Sequence, residues 1–138
     1  MDTVLISGGT SGSGLATAAV LLDRGRNVDI SGRHQEKGEA ALAFLARPGR
    51  TFYIQGDVVS DDDCRRMVEE TVRQFGGLDG LVTSAGVYEE NLLENVTPDD
   101  MQRLFSINVF GTMYLCRHAL PYLRHKPGSI VTVSSDAG

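Results

Sequence analysis

The stretch Val4-Leu5-Ile6-Ser7-Gly8-Gly9-Thr10-Ser11-Gly12-Ser13-Gly14 decides the fold. Residues 3 to 7 read as a short apolar strand that runs, without a linker, into a loop alternating glycine with small hydroxyl residues. A helix opens at once, with Leu15, Ala18, Ala19 and Leu22 at i, i+3, i+4 and i+7, and it stops at Gly25. Glycine lets a backbone take positive φ and come close to a ligand, and a helix start offers unpaired N–H groups at the positive end of its dipole. That order predicts a dinucleotide pyrophosphate cradle made of Gly8, Thr10, Ser11, Gly12, Ser13 and Gly14. The spacing is Gly-x-x-x-Gly-x-Gly, not Gly-x-Gly-x-x-Gly, but the strand, turn and helix context is the one a dinucleotide fingerprint requires. Taken alone, the glycines leave an ordinary tight βα turn open.

Beyond this stretch the chain alternates strand and helix. Val28 to Ser31 is a second strand, and Gly32-Arg33-His34 leads to a second helix with Ala41, Phe44 and Leu45 on one face, broken by Pro48-Gly49. Thr51 to Gln55 is a third strand ending in Gly56-Asp57. Ser60 caps a third helix whose first turn holds Asp61, Asp62 and Asp63, where the dipole favours carboxylates. These acids lack the every-other-residue spacing of a calcium loop, so capping is their expected role and no metal site is predicted. Cys64, Met67, Val68, Thr71, Val72 and Phe75 form that helix's apolar stripe, and Gly76-Gly77 ends it. Leu78 to Ser84 is a fourth strand. After a loop with Glu89, Glu90 and Asn91, Thr97 caps a long helix, with Pro98 in its first turn, that runs to about Arg124. Ser129 to Ser135 is the fifth strand.

Strands joined by helices imply right-handed crossovers and a parallel sheet covered on both faces. The expected architecture is α/β, a doubly wound, Rossmann-like parallel sheet of five βα units, one domain spanning residues 1–138 and incomplete at its C-terminus. A chain of 138 residues, 41% hydrophobic, carries one core and not two. A net charge of -5 without a Lys/Arg stripe argues against nucleic acid. With no export signal and no apolar run of membrane length, the expected setting is cytoplasmic. Cys64 and Cys116 lie on apolar helix faces and read as reduced core thiols.

In doubly wound sheets ligands sit beyond the carboxyl ends of the strands. Those ends are Ser7-Gly8, Gly32-Arg33, Gly56-Asp57, Ser84-Ala85-Gly86 and Ser134-Ser135, all small, polar or charged. Here the chain resembles the N-terminal part of a short-chain dehydrogenase/reductase. Ser7-Gly8-Gly9-Thr10-Ser11-Gly12-Ser13-Gly14 is similar to the family's Thr-Gly-x-x-x-Gly-x-Gly, and Gly56-Asp57-Val58 to its adenine-contacting Asp segment. Ser84-Ala85-Gly86 stands where Asn-Ala-Gly is usual. Asn108-Val109-Phe110-Gly111 and Ile130-Val131-Thr132-Val133-Ser134-Ser135 match two further signatures. The departures are Ser7 for Thr and Ser13 for an aliphatic residue, both small beside the phosphates, and Ser84 for Asn, which weakens the tie between the fourth strand and its neighbours.

The resemblance implies hydride transfer between a nicotinamide cofactor and a carbonyl or secondary alcohol. It implies Ser135 as the anchor of the substrate oxygen and Asn108 as holder of a relay water. It also implies a Tyr-x-x-x-Lys pair on a helix after the fifth strand, which this sequence lacks, so the 138 residues by themselves are expected to be inactive. Independently of the family, Asn108 falls on the helix stripe of Met101, Leu104, Phe105, Thr112 and Leu115, where packing would ask for Leu. A buried amide there needs partners, and a satisfied core Asn that bends its helix is the alternative reading. Gly111 suggests a close backbone approach.

Tyr122-Leu123-Arg124-His125-Lys126 spells Tyr-x-x-x-Lys but precedes the fifth strand, on the side away from the crevice, so Tyr122 is expected to pack and Lys126 to be a solvated helix-end charge. His34, His118 and His125 show no carboxylate or Cys grouping. An acid ending the second strand would select NAD(H), whereas this chain has Gly32 and then Arg33, so NADP(H) is the expected cofactor, with NAD(H) kept open. Arg33, Asp57, Val58, Ser84, Ala85 and Gly86 complete the expected cofactor set. Two other functions stay in view. A non-catalytic dinucleotide-binding module fits if 138 residues is the true length. A phosphoacceptor receiver domain would use Asp57, but it needs acids after the first strand and a Lys after the fifth, where this chain has Ser7-Gly8 and Ser134-Ser135-Asp136. The expected partner is a small carbonyl or alcohol whose identity the sequence does not give, and a homo-oligomer is implied by resemblance alone.

Overall fold

A computed structural model describes residues 2–135. Five parallel strands, β1 (Thr3–Ser7), β2 (Asn27–Gly32), β3 (Thr51–Gln55), β4 (Gly80–Thr83) and β5 (Ser129–Thr132), form one sheet in the order β3-β2-β1-β4-β5. The helices are α1 (Gly12–Asp23), α2 (Gln35–Leu45), α3 (Asp61–Phe75), α4 (Pro98–Phe105) and α5 (Gly111–Leu123). The strand order reverses between β1 and β4, the two neighbours at the centre of the sheet, which makes that pair the topological switch point. Asp136, part of the receiver comparison, lies outside the described residues.

The period-2 alternation of β1 builds two cores. Val4 and Ile6 face a cluster with Ala18 and Leu22 of α1, Val28 and Ile30 of β2, and Ala41 and Leu45 of α2. Leu5 faces the opposite layer, where Cys64, Met67 and Val68 of α3 meet Leu81 of β4 and Leu115, Ala119 and Leu123 of α5. A strand buried on both faces reads as a continuous apolar run, and β1 is buried at every residue.

Four segments depart from expectation. On α2 the buried stripe is Gly38, Ala41 and Leu45, while Phe44 is 69% exposed. The glycine sits on the inner face because the Tyr53 ring occupies the place of its side chain, and Phe44 is turned outward. The long helix is interrupted: Ser106–Phe110 forms a π-helical turn between α4 and α5. A single widened turn leaves the hydrophobic period almost intact, so the sequence does not announce it. β4 ends at Thr83 and β5 at Thr132, shorter than read, although Ser84 N–H still donates to the Ser7 carbonyl and Val133 N–H to that of Thr83. Ser134 and Ser135 therefore lie beyond the strand. β5 is an edge strand exposed at every residue, and the long helix also carries exposed apolar side chains, among them Phe105, Phe110 and Met113.

Ser60 caps α3 as expected, its hydroxyl accepting from Asp63 N–H. The three acids are then divided. Asp63 accepts from Asp57 N–H at 2.8 Å, and Asp61 accepts from Arg117 at 3.0 Å and lies 2.8 Å from His118 Nε2. His118 thus has the carboxylate partner its sequence neighbourhood did not suggest, because Asp61 arrives from 57 residues away. Lys126 is likewise no free charge: its Nζ lies 2.7 Å from Asp79, at the amino end of the sheet. Cys64 is buried, and Cys116 half-buried; both are free thiols. Among the described residues no helix is long and apolar enough to cross a membrane.

Candidate functional site: a cleft at the carboxyl ends of the strands

A cleft of about 180 Å³ opens where the strands end. Among the described residues each strand end contributes to it except that of β5: Gly8, Thr10 and Ser11 after β1, Ser31 to His34 at the end of β2, Gly56, Asp57 and Val58 after β3, and Ala85 to Val87 after β4. Ile107 from the π-turn and Lys37 from the first turns of α2 complete the wall.

The glycine-rich loop is shaped by two close approaches. Gly8 has φ +69°, and a Cβ there would lie 2.6 Å from Ala85 N, so the loop after β1 rests directly on the segment leaving β4. A Cβ on Gly14 would lie 2.2 Å from the Gly8 carbonyl oxygen, so the first turn of α1 folds back onto the same loop. The start of α1 is open: Ser11 at its N-cap makes no side-chain capping bond, and the first turn holds no acidic residue. By contrast, α3 and α4 are closed by Ser60 and Thr97 and carry acids in their first turns. Unpaired N–H groups at the positive end of a helix dipole, beside a loop with no side chains in the way, suit an anion.

The expected residues divide into two groups. Gly8, Thr10, Ser11, Arg33, Asp57, Val58, Ala85 and Gly86 line the cleft. Gly12, Ser13, Gly14 and Ser84 do not line it; Gly12 and Gly14 shape the loop and helix start, and Ser13 is exposed. Ser7 is not beside the cleft either: it is buried between β1 and β4, with its hydroxyl 3.5 Å from Ala85 N. Together with the Ser84 N–H bond to the Ser7 carbonyl, this ties the exit of β4 to β1 through one side-chain and one backbone acceptor. Val58 is 8% exposed and packs against Gly111, where a Cβ would lie 2.8 Å from Val58 Cγ2; it is mostly core and only partly wall.

Asn108 is exposed, not buried, yet both ends of its amide are engaged. Its Oδ1 accepts from Val87 N–H at 2.9 Å and its Nδ2 donates to the Val87 carbonyl at 2.8 Å. The amide thereby mimics one more strand pairing and holds the Ala85-Gly86-Val87 segment in the cleft wall. Arg103 reinforces the same loop by pairing with Glu89. Ser135 is exposed and does not line the cleft. Tyr122 and Lys126 lie at the opposite, amino-terminal side of the sheet, as Lys126 bonding to Asp79 shows.

The residues that sequence reading missed are Ser31, His34, Lys37, Val87 and Ile107. Lys37 had a signal, since it stands one helical turn beyond Arg33. Both cations line the cleft, and neither side chain has an ion-pair or hydrogen-bond partner among the described residues.

The short chain dehydrogenase family profile matches residues 2–138. The chain is 35% identical over 135 residues to an Arabidopsis thaliana 11-beta-hydroxysteroid dehydrogenase-like protein, covering 96% of this chain and 44% of that one. It is 34% identical over 139 residues to the 2,5-dichloro-2,5-cyclohexadiene-1,4-diol dehydrogenase of Sphingobium indicum, covering 99% of this chain and 55% of the relative. A Brucella melitensis crystal structure, a short-chain dehydrogenase/reductase of the glucose/ribitol dehydrogenase type, superimposes with a TM-score of 0.94 at 36% identity, covering 99% of this chain and 57% of that one. The chain spans about half the length of the relatives it matches.

Proposed function

Since the chain belongs to the short-chain dehydrogenase/reductase family, we propose that it is the cofactor-binding part of an NADP(H)-dependent oxidoreductase acting on a carbonyl or secondary alcohol. The observation that carries the reading is the cleft at the β1/β4 switch point, where Ser11 at the uncapped entry to α1, a glycine loop pressed on β4 and an unpaired Arg33 face one space. These residues fit a dinucleotide: a pyrophosphate at the start of α1, an adenine beside Asp57 and Val58, and a ribose at the end of β2.

A nicotinamide, when bound, supplies or takes up hydride. The N–H groups of Gly12 to Gly14 hold negative charge, and Asn108 fixes the wall that the nicotinamide end would contact, through Val87. Arg33 meets a 2′-phosphate with a guanidinium where an acid would repel it. Ser135 anchors the substrate oxygen in this reading. Among the described residues no tyrosine lines the cleft. Self-association would use the exposed apolar side of the long helix.

A charge-assisted contact contributes about 1.5 to 3 kcal/mol, so NADPH should bind at least about tenfold more tightly than NADH. Calorimetry with both cofactors on the parent and on Arg33→Ala tests this. Equal or tighter NADH binding by the parent, or an unchanged ratio in the variant, would remove the NADP(H) assignment.

A further inference from the structure

The two-residue connection that carries Arg33 is held from the neighbouring strand. It joins Gly32, the last residue of β2, to Gln35, the first of α2, and His34 at the helix N-cap makes no side-chain capping bond. No side-chain cap therefore fixes the turn, and the one local bond to its carbonyls is the first helical one, from Gly38 N–H to His34 at 3.1 Å. Its three successive carbonyls are instead collected by β3. The Tyr53 hydroxyl lies 2.8 Å from the Gly32 carbonyl oxygen and 2.9 Å from that of His34. Gln55 Nε2 donates to the Arg33 carbonyl at 3.1 Å, and Gly56 N–H donates to Gly32 at 2.9 Å.

A hydroxyl has a single proton to give, so Tyr53 shares it between two carbonyls that bracket Arg33. Burial first, and the Glu36 carboxylate second, raise the Tyr53 pKa and keep it a donor. The ring has a seat made for it. A Cβ on Gly38 would lie 2.3 Å from the ring carbons Cδ1 and Cε1, so only glycine at this point of α2 lets the ring lie flat against the helix. A glycine inside a helix costs about 1 kcal/mol against alanine, so this one needs a packing reason, and Tyr53 supplies it.

We infer that Tyr53, seated on Gly38, is the positioning residue that holds the Gly32-Arg33-His34 turn ready for the 2′-phosphate, and so sets the preference for the phosphorylated cofactor. The inference rests on the NADP(H) reading above. Without the hydroxyl the turn must be ordered at the moment of binding, a cost borne only by a ligand that uses Arg33. Adenine and pyrophosphate contacts, on β3's exit and on α1, are untouched.

The test uses the full chain with two probes that differ only in the phosphate concerned, 2′,5′-ADP and 5′-ADP, measured by calorimetry alongside thermal melting. Tyr53→Phe keeps the ring in its seat. It should weaken 2′,5′-ADP about fivefold, the worth of one neutral hydrogen bond, and leave 5′-ADP within about twofold. Gly38→Ala should do the same in the parent but have no further effect on selectivity in a Tyr53→Ala background, where the ring is absent. If Gly38→Ala does not fold, Tyr53→Phe decides alone. A Tyr53→Phe variant that keeps the parent's ratio while Arg33→Ala loses it overturns the role of Tyr53 and leaves the cofactor reading standing. If Arg33→Ala also keeps the ratio, both fall. Equal loss of both probes would mark Tyr53 as merely structural and overturn the inference.

Discussion

Replacing Asp29 with Asn should stabilise the protein at pH 8 and do little at pH 5. Asp29 lies in β2, fully buried, facing α3. Its partners are the Phe52 backbone N–H, the Thr71 side chain and Gln74, whose amide nitrogen, turned towards it, donates to its two carboxylate oxygens at 3.1 and 2.8 Å. These bonds favour the charged form, but burial outweighs them and nearby Glu70 adds to it, raising the carboxyl from 3.8 to about 7. A group whose folded pKa lies above its unfolded value adds stability that is fully present below the unfolded pKa and is lost as pH rises through the folded one. The window therefore runs from about pH 4 to beyond pH 7. At about 1.4 kcal/mol per tenfold change in proton affinity, holding this carboxylate ionised costs about 4 kcal/mol at pH 8. Asn keeps the acceptor for Phe52 and, with Gln74 turned the other way, finds an acceptor for its own N–H. The expected gain at pH 8 is about 2 to 4 kcal/mol, with a difference under about 1 kcal/mol at pH 5. Urea unfolding of both proteins from pH 5 to 8 reads the difference directly, because other titrating groups cancel between them. A difference that does not change with pH, or a variant less stable at pH 8, would refute the reasoning.

Asp57→Ala should raise the Kd and KM for cofactor while leaving kcat nearly unchanged in a complete enzyme, and should cost about 1 kcal/mol of stability, since Asp57 Oδ1 also accepts from Val59 N–H; a large fall in kcat at saturating cofactor would place Asp57 in the chemistry. Gly14→Ala should abolish measurable NADPH binding and lower Tm, because the added carbon meets the Gly8 carbonyl at 2.2 Å; wild-type affinity in calorimetry would disprove that close approach. The purified 138-residue chain should not oxidise NADPH with any of a panel of carbonyl compounds, as no tyrosine lines the cleft among the described residues and general acid/base help is worth about 10² to 10⁴ in rate; steady turnover would direct attention back to Tyr122.

The central part of the fold was legible because local pattern and tertiary role coincide there. The run from Val4 to Gly14 is strand, loop and helix start in one reading frame, and Leu15 to Leu22 repeat at the helical period, so β1, its loop and α1 could be read directly. What could not be read depends on contacts between distant segments. Phe44 fits the α2 stripe by composition, but the ring of Tyr53 takes the inner face and Phe44 is left outside. The π-turn at Ser106–Phe110 adds one residue to one turn, which a periodicity of apolar residues does not register. His118 meets Asp61 and Lys126 meets Asp79 across long sequence separations, and each was read as unpaired for that reason. In the site, the strand ends that line the cleft were legible from the doubly wound rule. The clamp of Asn108 on Val87 and the hold of Tyr53 on the β2–α2 turn were not, because both are side chain to backbone bonds whose partners no local pattern names.

The claim that a nicotinamide dinucleotide occupies the carboxyl-end cleft is tested most directly by following backbone amide NMR signals while NADPH is added to isotope-labelled chain. The account predicts saturable shifts confined to Gly8 to Gly14, Ser31 to His34, Asp57 and Val58, and Ala85 to Val87, with the amides around Asp79 and Lys126 unmoved. Absence of saturable shifts, or shifts gathered at the amino ends of the strands, would contradict it.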